Sequence, residues 1–195
     1  MKINKPLRNG FIAGFIIAAV CSAALIFAED DNQELLQQAN QCLVFLKNKD
    51  FKQLSKLVHP KKGVSFSPYA YASAEDINFK PAKIKNLKLT DKYLWGYFDG
   101  SGSPMELSVE DYFNRFVFNH DFTQAPYTGI NQLLKTGNTV SNLDKAFPGA
   151  SFVEYHFPGF ESKYEGIDWA SLRLVFEKTG NKWMLVGIVH DCWTI

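Results

Sequence analysis

The chain has 195 residues, 46% of them apolar and 15% aromatic, with 21 basic and 20 acidic side chains. That composition excludes a disordered or low-complexity chain and suits one domain plus a short appendage. With Arg115 and Arg173 the only arginines after residue 28 and a net charge near zero, it also excludes an arginine-rich nucleic-acid binder.

The first element is at the amino terminus. Lys2, Lys5 and Arg8 precede an uncharged run over residues 11–28, and Glu29, Asp30 and Asp31 follow at once. A basic head, an apolar stretch and a small residue, Ala28, read as a secretory signal cut after that residue. The run is also just long enough to stay as an uncleaved anchor of the same orientation, basic end inside. A lipidated Cys21 is disfavoured by Val20 before it. Residues 1–28 are therefore expected to be a signal peptide or membrane anchor, and residues 29–195 a single extracytoplasmic domain.

A helix comes next. Leu35, Ala39, Cys42, Leu43 and Leu46 recur on one helical face. "NKD" breaks it, and Asp50 can cap a second short helix with Phe51, Leu54, Leu57 and Val58 turned one way. His59-Pro60 ends that helix. "GVSFSPYAYA" and "DINFK" read as extended pieces. Pro81 opens a short helix through Leu87, and "KYLWGYF" reads as a strand running into the turn "DGSGSP". Ser108 caps the clearest internal helix, whose Val109, Tyr112, Phe113, Phe116 and Val117 share a face, with Asp111 at the capping-box position. Residues 119–142 read as loop with one helical turn.

The final third is rich in strands. "SFVEYHF" alternates until Pro158-Gly159. "SLRLVFEK" sets Leu172, Leu174 and Phe176 on one face and Arg173, Val175 and Glu177 on the other. "TGNK" turns and "WMLVGIVHD" returns. Both faces of that last strand are apolar, which places it mid-sheet. Helices first and long antiparallel strands last give an α+β fold, with amino-terminal helices packed on a curved antiparallel sheet.

Charge is uneven along the chain. Residues 47–92 hold eleven lysines against Asp50, Glu75, Asp76 and Asp91, whereas residues 93–195 carry seven basic and twelve acidic groups. Two such halves either face each other and water, or offer a basic flank to anionic envelope components.

The words "HPKKGVSFSPYAY", "WGYFDGSGSPMELSVEDYFNRFVFNHDF", "FVEYHFPGFESKYEGIDWASLRLVFE" and "KWMLVGIVHDCWTI" resemble a family of exported bacterial proteins of unknown function, from about His59 to Ile195. The resemblance brings no reaction and no catalytic residues. It implies glutamine where Cys192 stands, which argues against that thiol as a shared working group. The element order is in addition similar to NTF2-like (cystatin-like) cones, in which helices cover a curved sheet ending in a long hairpin. The helix after Ser108 departs from that pattern.

Candidate chemistry is sparse. Glu154 and His156 alternate onto one face of one strand, and Asp191 neighbours His190 on another. If those strands bring their ends together, Glu154, His156, His190 and Asp191 supply a general base with its orienting acid, or a metal with a second ring of partners. The alternative is that each histidine is a hydrogen-bonded strand residue. No close histidine pair announces zinc, so no metal and no cofactor is expected. Asp99 and Glu110 have the outer spacing of a calcium loop, but Pro104 stands where glycine is required. Tyr155, Trp169, Arg173 and Trp193 are candidates for lining an aromatic hollow. Cys42 and Cys192 are a candidate disulfide, closing a loop worth on the order of 4–5 kcal/mol; two buried free thiols are the alternative. The favoured reading is a non-catalytic domain binding a small ligand, an envelope fragment or a partner protein, with the membrane reached through residues 1–28 if they are retained. The alternatives are a hydrolase- or isomerase-type enzyme and a structural module.

Overall fold

The computed structural model describes residues 12–194, with side chains from Glu29 onward. The chain divides into two compact units, residues 1–34 and 35–195. In the first, the backbone is helical from Ile12, the start of α1 (Ile12–Lys47). The signal or anchor reading of residues 1–28 rests on side chains outside the described residues. Among the described residues no helix is long and apolar enough to cross a membrane. All that follows concerns the second unit.

From Leu35 onward, α1 buries Leu35, Ala39, Cys42, Leu43 and Leu46, the face its spacing predicts. Lys49 takes a positive φ of 52°, which ends the helix. The Asp50 side chain then accepts the Gln53 N–H at 3.0 Å and starts α2 (Phe51–Leu57). Two short strands follow, β1 (Val64–Ser67) and β2 (Ile77–Phe79), and then α3 (Pro81–Lys85), opened by proline. β3 (Lys92–Tyr97) and β4 (Pro104–Ser108) form a separate two-stranded sheet. Ser108 caps α4 (Val109–Tyr112) by accepting the Asp111 N–H at 3.1 Å. The helix then widens into a π-turn over Phe113–Val117, closed by the Phe118 N–H on the Phe113 carbonyl at 2.7 Å.

The remaining elements are β5 (Tyr127–Ile130), α5 (Leu143–Ala146), β6 (Ser151–Phe157), β7 (Ala170–Thr179) and β8 (Lys182–Cys192). They complete a six-stranded sheet in the order β2-β1-β8-β7-β6-β5. The expectation of a purely antiparallel sheet is corrected at one seam, because β1 runs parallel to β8 with Phe66 opposite Ile188. A parallel neighbour needs a long crossover, and the whole stretch between β1 and β8 provides one. As its two apolar faces require, β8 lies inside the sheet.

α1 to α4 lie against one face of this curved sheet, giving a mixed α+β fold. The larger core joins α1, α2 and the π-turn to Leu172, Leu174, Phe176, Val153 and Ile188. Trp95 closes it, stacked on Tyr112 with ring centres 3.8 Å apart. A smaller cluster of Leu143, Val175, Val186 and Val189 covers the opposite face.

Candidate functional site

Strand alternation decides which side chains meet. Across β6, β7 and β8, His156 pairs with Ser171 and Ser171 with Asp191, while Glu154 pairs with Arg173. Residues opposite each other in a ladder point to the same face. Glu154, His156, Ser171, Arg173 and Asp191 therefore gather on one face. Tyr155, Leu172 and His190 form the next row and point to the other.

Arg173 is the centre of the first group and is fully buried. Its Nε donates to Glu154 Oε2 at 3.0 Å. Its Nη2 donates to Asp191 Oδ2 at 2.8 Å and to the Lys135 carbonyl at 2.9 Å. Glu154 Oε2 also accepts the Leu134 N–H at 3.2 Å, and Glu154 Oε1 accepts the Ser171 hydroxyl at 2.7 Å. His156 Nδ1 lies 2.9 Å from the same Ser171 oxygen. One cation thus serves two carboxylates in the protein interior. Burial pushes Asp191 up to about 6 against the pull of Arg173. Burial also lowers His156, opposed by Glu154.

The direction of the Ser171 proton matters. A carboxylate only accepts, so the single hydroxyl proton goes to Glu154, and His156 Nδ1–H donates to Ser171 Oγ. That is the reverse of the polarity that activates a serine nucleophile, where imidazole takes the hydroxyl proton. Residues 134–138 are held next to the group. Asn138 bonds the Thr194 carbonyl at 2.6 Å and the Thr194 hydroxyl at 2.9 Å, pinning residues 134–138 beside the carboxyl-terminal strand end. Among the described residues, no three His, Cys, Asp or Glu side chains are placed to hold a metal.

His190 does not join this group, which corrects the expectation that the two imidazoles share a hollow. Its Nδ1 donates to the Pro68 carbonyl at 3.1 Å, and its Nε2 accepts from Asn119 at 3.3 Å. Phe116 meets its ring edge-on at 5.9 Å. Burial holds it neutral, down to about 4. The cause is simple: His190 and Asp191 are adjacent, and adjacent strand residues point to opposite faces.

The expected aromatic hollow is corrected in the same way. Tyr155 faces the larger core and donates its hydroxyl to Asn40 at 2.8 Å. Trp169 is buried beside His156, with ring centres 5.9 Å apart. Trp193 is exposed and borders a different groove, with Tyr164 and Ile167. Arg173 is occupied by carboxylates. The candidate disulfide is also corrected, since Cys42 and Cys192 are both free. Cys42 sits in the core near Tyr155, whereas Cys192 lies near Asp99 and Arg115.

The open site is elsewhere, and sequence reasoning missed it. A cleft of about 390 Å³ lies between residues 68–76, the β3–β4 hairpin and Thr139. Tyr69, Tyr71, Leu94 and Tyr97 give its lining large apolar surface, and Glu75, Asp76 and Asp99 add carboxylates to it. Tyr71, Leu94 and Tyr97 are 57%, 48% and 54% exposed, an unusual amount of large apolar surface around one opening. A bulge creates the wall. The β3–β4 register shifts between Leu94 and Tyr97, and Gly96 takes φ 131°. In a regular strand, residues three apart face opposite ways; the extra residue lets Leu94 and Tyr97 border the same cleft while Trp95 stays inside. The glycine inside "KYLWGYF" was the available signal. Asp76 is fixed by the Ser67 hydroxyl and by the Ser73 N–H at 2.9 Å, and burial raises it.

No family model matches the chain, and no curated protein matches it. Two solved structures overlap much of it. One is a protein from Xanthomonas campestris named for a calcium/calmodulin dependent protein kinase II association domain, 12% identical, covering 88% of this chain and 85% of that one, with a TM-score of 0.27. The other is the Kfla4162 protein from Kribbella flavida, 14% identical, covering 85% and 92%, with a TM-score of 0.30. Overlap that low carries no argument about this chain.

Proposed function

We propose that the second unit is a non-catalytic binding domain whose working site is the cleft walled by Tyr69, Tyr71, Leu94 and Tyr97. One observation carries this reading. Three large side chains stay in water around a single opening of about 390 Å³, within the size range of small-molecule pockets. The enzyme alternative finds less support. Glu154, His156, Ser171, Arg173 and Asp191 bond one another in the interior, with Arg173 Nη1 left without a partner, and His190 is committed to Pro68 and Asn119.

Placement outside the cytoplasmic membrane belongs to the same proposal and rests on the charge and hydropathy pattern of residues 1–28. An NTF2-like assignment rests on element order, with helices ahead of a sheet that ends in the β7–β8 hairpin.

The test is ligand-observed NMR with a panel of sugars, amines, carboxylates and small aromatics against the full chain. Tyr97→Ser and Tyr71→Ser are run beside it. Binding that is lost in both variants at unchanged thermal midpoint supports the cleft. Binding that survives both, or an absence of binding across the panel, overturns it.

A further inference from the structure

We propose that the cleft takes an organic cation, an ammonium head carried on a short aliphatic body. This rests on the binding reading above and adds the ligand class. The first observation is the composition of the lining. Tyr69, Tyr71 and Tyr97 line the cleft together with Glu75, Asp76 and Asp99, and its lining carries no lysine, arginine or histidine. Ring faces attract cations through their quadrupole, and Tyr is among the better donors of that contact. A cation gains Coulomb attraction from three carboxylates that a neutral ligand lacks, and an anion is repelled by them.

The second observation is where the neighbouring cation goes. Arg115 is a neighbouring cation, close enough to act electrostatically on Tyr69. Its guanidinium instead lies over the Phe98 ring at 4.6 Å and the Phe116 ring at 5.3 Å, outside the lining. The third is the state of Asp76. The Ser67 hydroxyl and the Ser73 N–H both bond Oδ2, which leaves Oδ1 without a protein donor among the described residues. The carboxylate is oriented by the loop and keeps an acceptor for an incoming N–H or a contact for a quaternary head. Tyr69 is held in turn, its hydroxyl accepting the Asp99 N–H at 3.0 Å and its ring edge-on to Phe116 at 5.8 Å. The apolar surface of Leu94 suits the aliphatic part.

The experiment compares choline, n-butylammonium and 3,3-dimethylbutan-1-ol, the neutral isostere of choline, by ligand-observed NMR titration of the full chain at low and high salt. The expected result is that both ammonium compounds bind at least about tenfold tighter than the alcohol, and weaken as salt rises. Tyr97→Leu, which keeps apolar bulk but removes the ring, should weaken choline by about 3- to 30-fold. Asp76→Asn should do so by about tenfold. Should Asp76→Asn fail to fold, Glu75→Gln, at an exposed position, gives a smaller loss of the same sign. Equal binding of the alcohol and choline, both lost in Tyr97→Leu, overturns the cation class and leaves the cleft reading standing. Absence of ammonium binding at millimolar concentration also overturns the cation class; the broader panel then decides the cleft reading separately.

Discussion

Arg173 Nη2 lies 2.8 Å from Asp191 Oδ2, and neither side chain reaches solvent. The same guanidinium holds Glu154, so removing it leaves two carboxylates buried without a counter-charge. Breaking a buried pair from one side costs about 3–5 kcal/mol. We expect Arg173→Met to lower the thermal midpoint by roughly 10 °C in a unit of this size. Arg173→Lys should recover little, because one ammonium cannot replace the fork that spans Glu154, Asp191 and the Lys135 carbonyl. Differential scanning calorimetry of the two variants reads this, and a midpoint within 2–3 °C of wild type in Arg173→Met would show that the network is not holding the sheet face together.

The two thiols should differ in reactivity. Cys42 is buried in the core and its thiol is pushed far up by burial, while Cys192 is partly exposed and raised to about 11. Thiolate is the reactive species, so both alkylate slowly near neutral pH. Iodoacetamide followed by peptide mass spectrometry should label Cys192 slowly in the native protein and Cys42 only after denaturant. A peptide pair linked through Cys42 and Cys192 from oxidised protein would contradict the free thiols.

Much of this arrangement can be read in the sequence, and the limits are physical. The faces of α1, β6 and β7 follow from spacing, because burial of one side imposes period 3.6 or 2. The same alternation already separates His190 from Asp191; what misleads is their adjacency in the chain. Ser171 is different. Its place beside His156 depends on the register of β7 against β6 across a twelve-residue connection, residues 158–169, which local pattern does not fix. β5 is short and at the sheet edge, so "YTGI" shows little alternation. The cleft is least legible of all, since it joins residues 68–76, 94–99 and 139 through a backbone irregularity at one glycine.

That glycine gives a direct test. Gly96 has φ 131°, a region closed to branched side chains, while a Cβ there would meet no atom within 4 Å. The constraint is therefore backbone strain and not space. Gly96→Val should cost about 1–3 kcal/mol and should remove the bulge that puts Leu94 beside Tyr97, abolishing cleft binding. Gly180→Asn is the control: its φ of 60° in the β7–β8 turn is one asparagine tolerates. Chemical denaturation and the NMR panel together read the result. A Gly96→Val protein that keeps wild-type stability and binding would mean the bulge does not shape the wall.

Two buried groups should make stability respond to acid in opposite senses. His190 is held neutral, at about 4 against 6.5 in the unfolded chain. Between those values the unfolded chain binds a proton that the native state does not, so stability falls as pH drops through that window, by roughly 3 kcal/mol. Asp191 is raised to about 6 against 3.8 unfolded. There the native state binds the extra proton, so stability rises as pH drops from 6 toward 4, by a similar amount of about 3 kcal/mol. In the wild type the two nearly offset. His156, lowered in the same direction as His190, tips the balance toward acid loss. We expect urea unfolding at pH 7, 6, 5 and 4 to separate them. Relative to wild type, His190→Gln should gain stability as pH falls and Asp191→Asn should lose it, whatever their offsets at pH 7. Variant and wild-type curves that stay parallel across pH 4–6.5 would show that neither side chain carries the buried, shifted titration its surroundings impose.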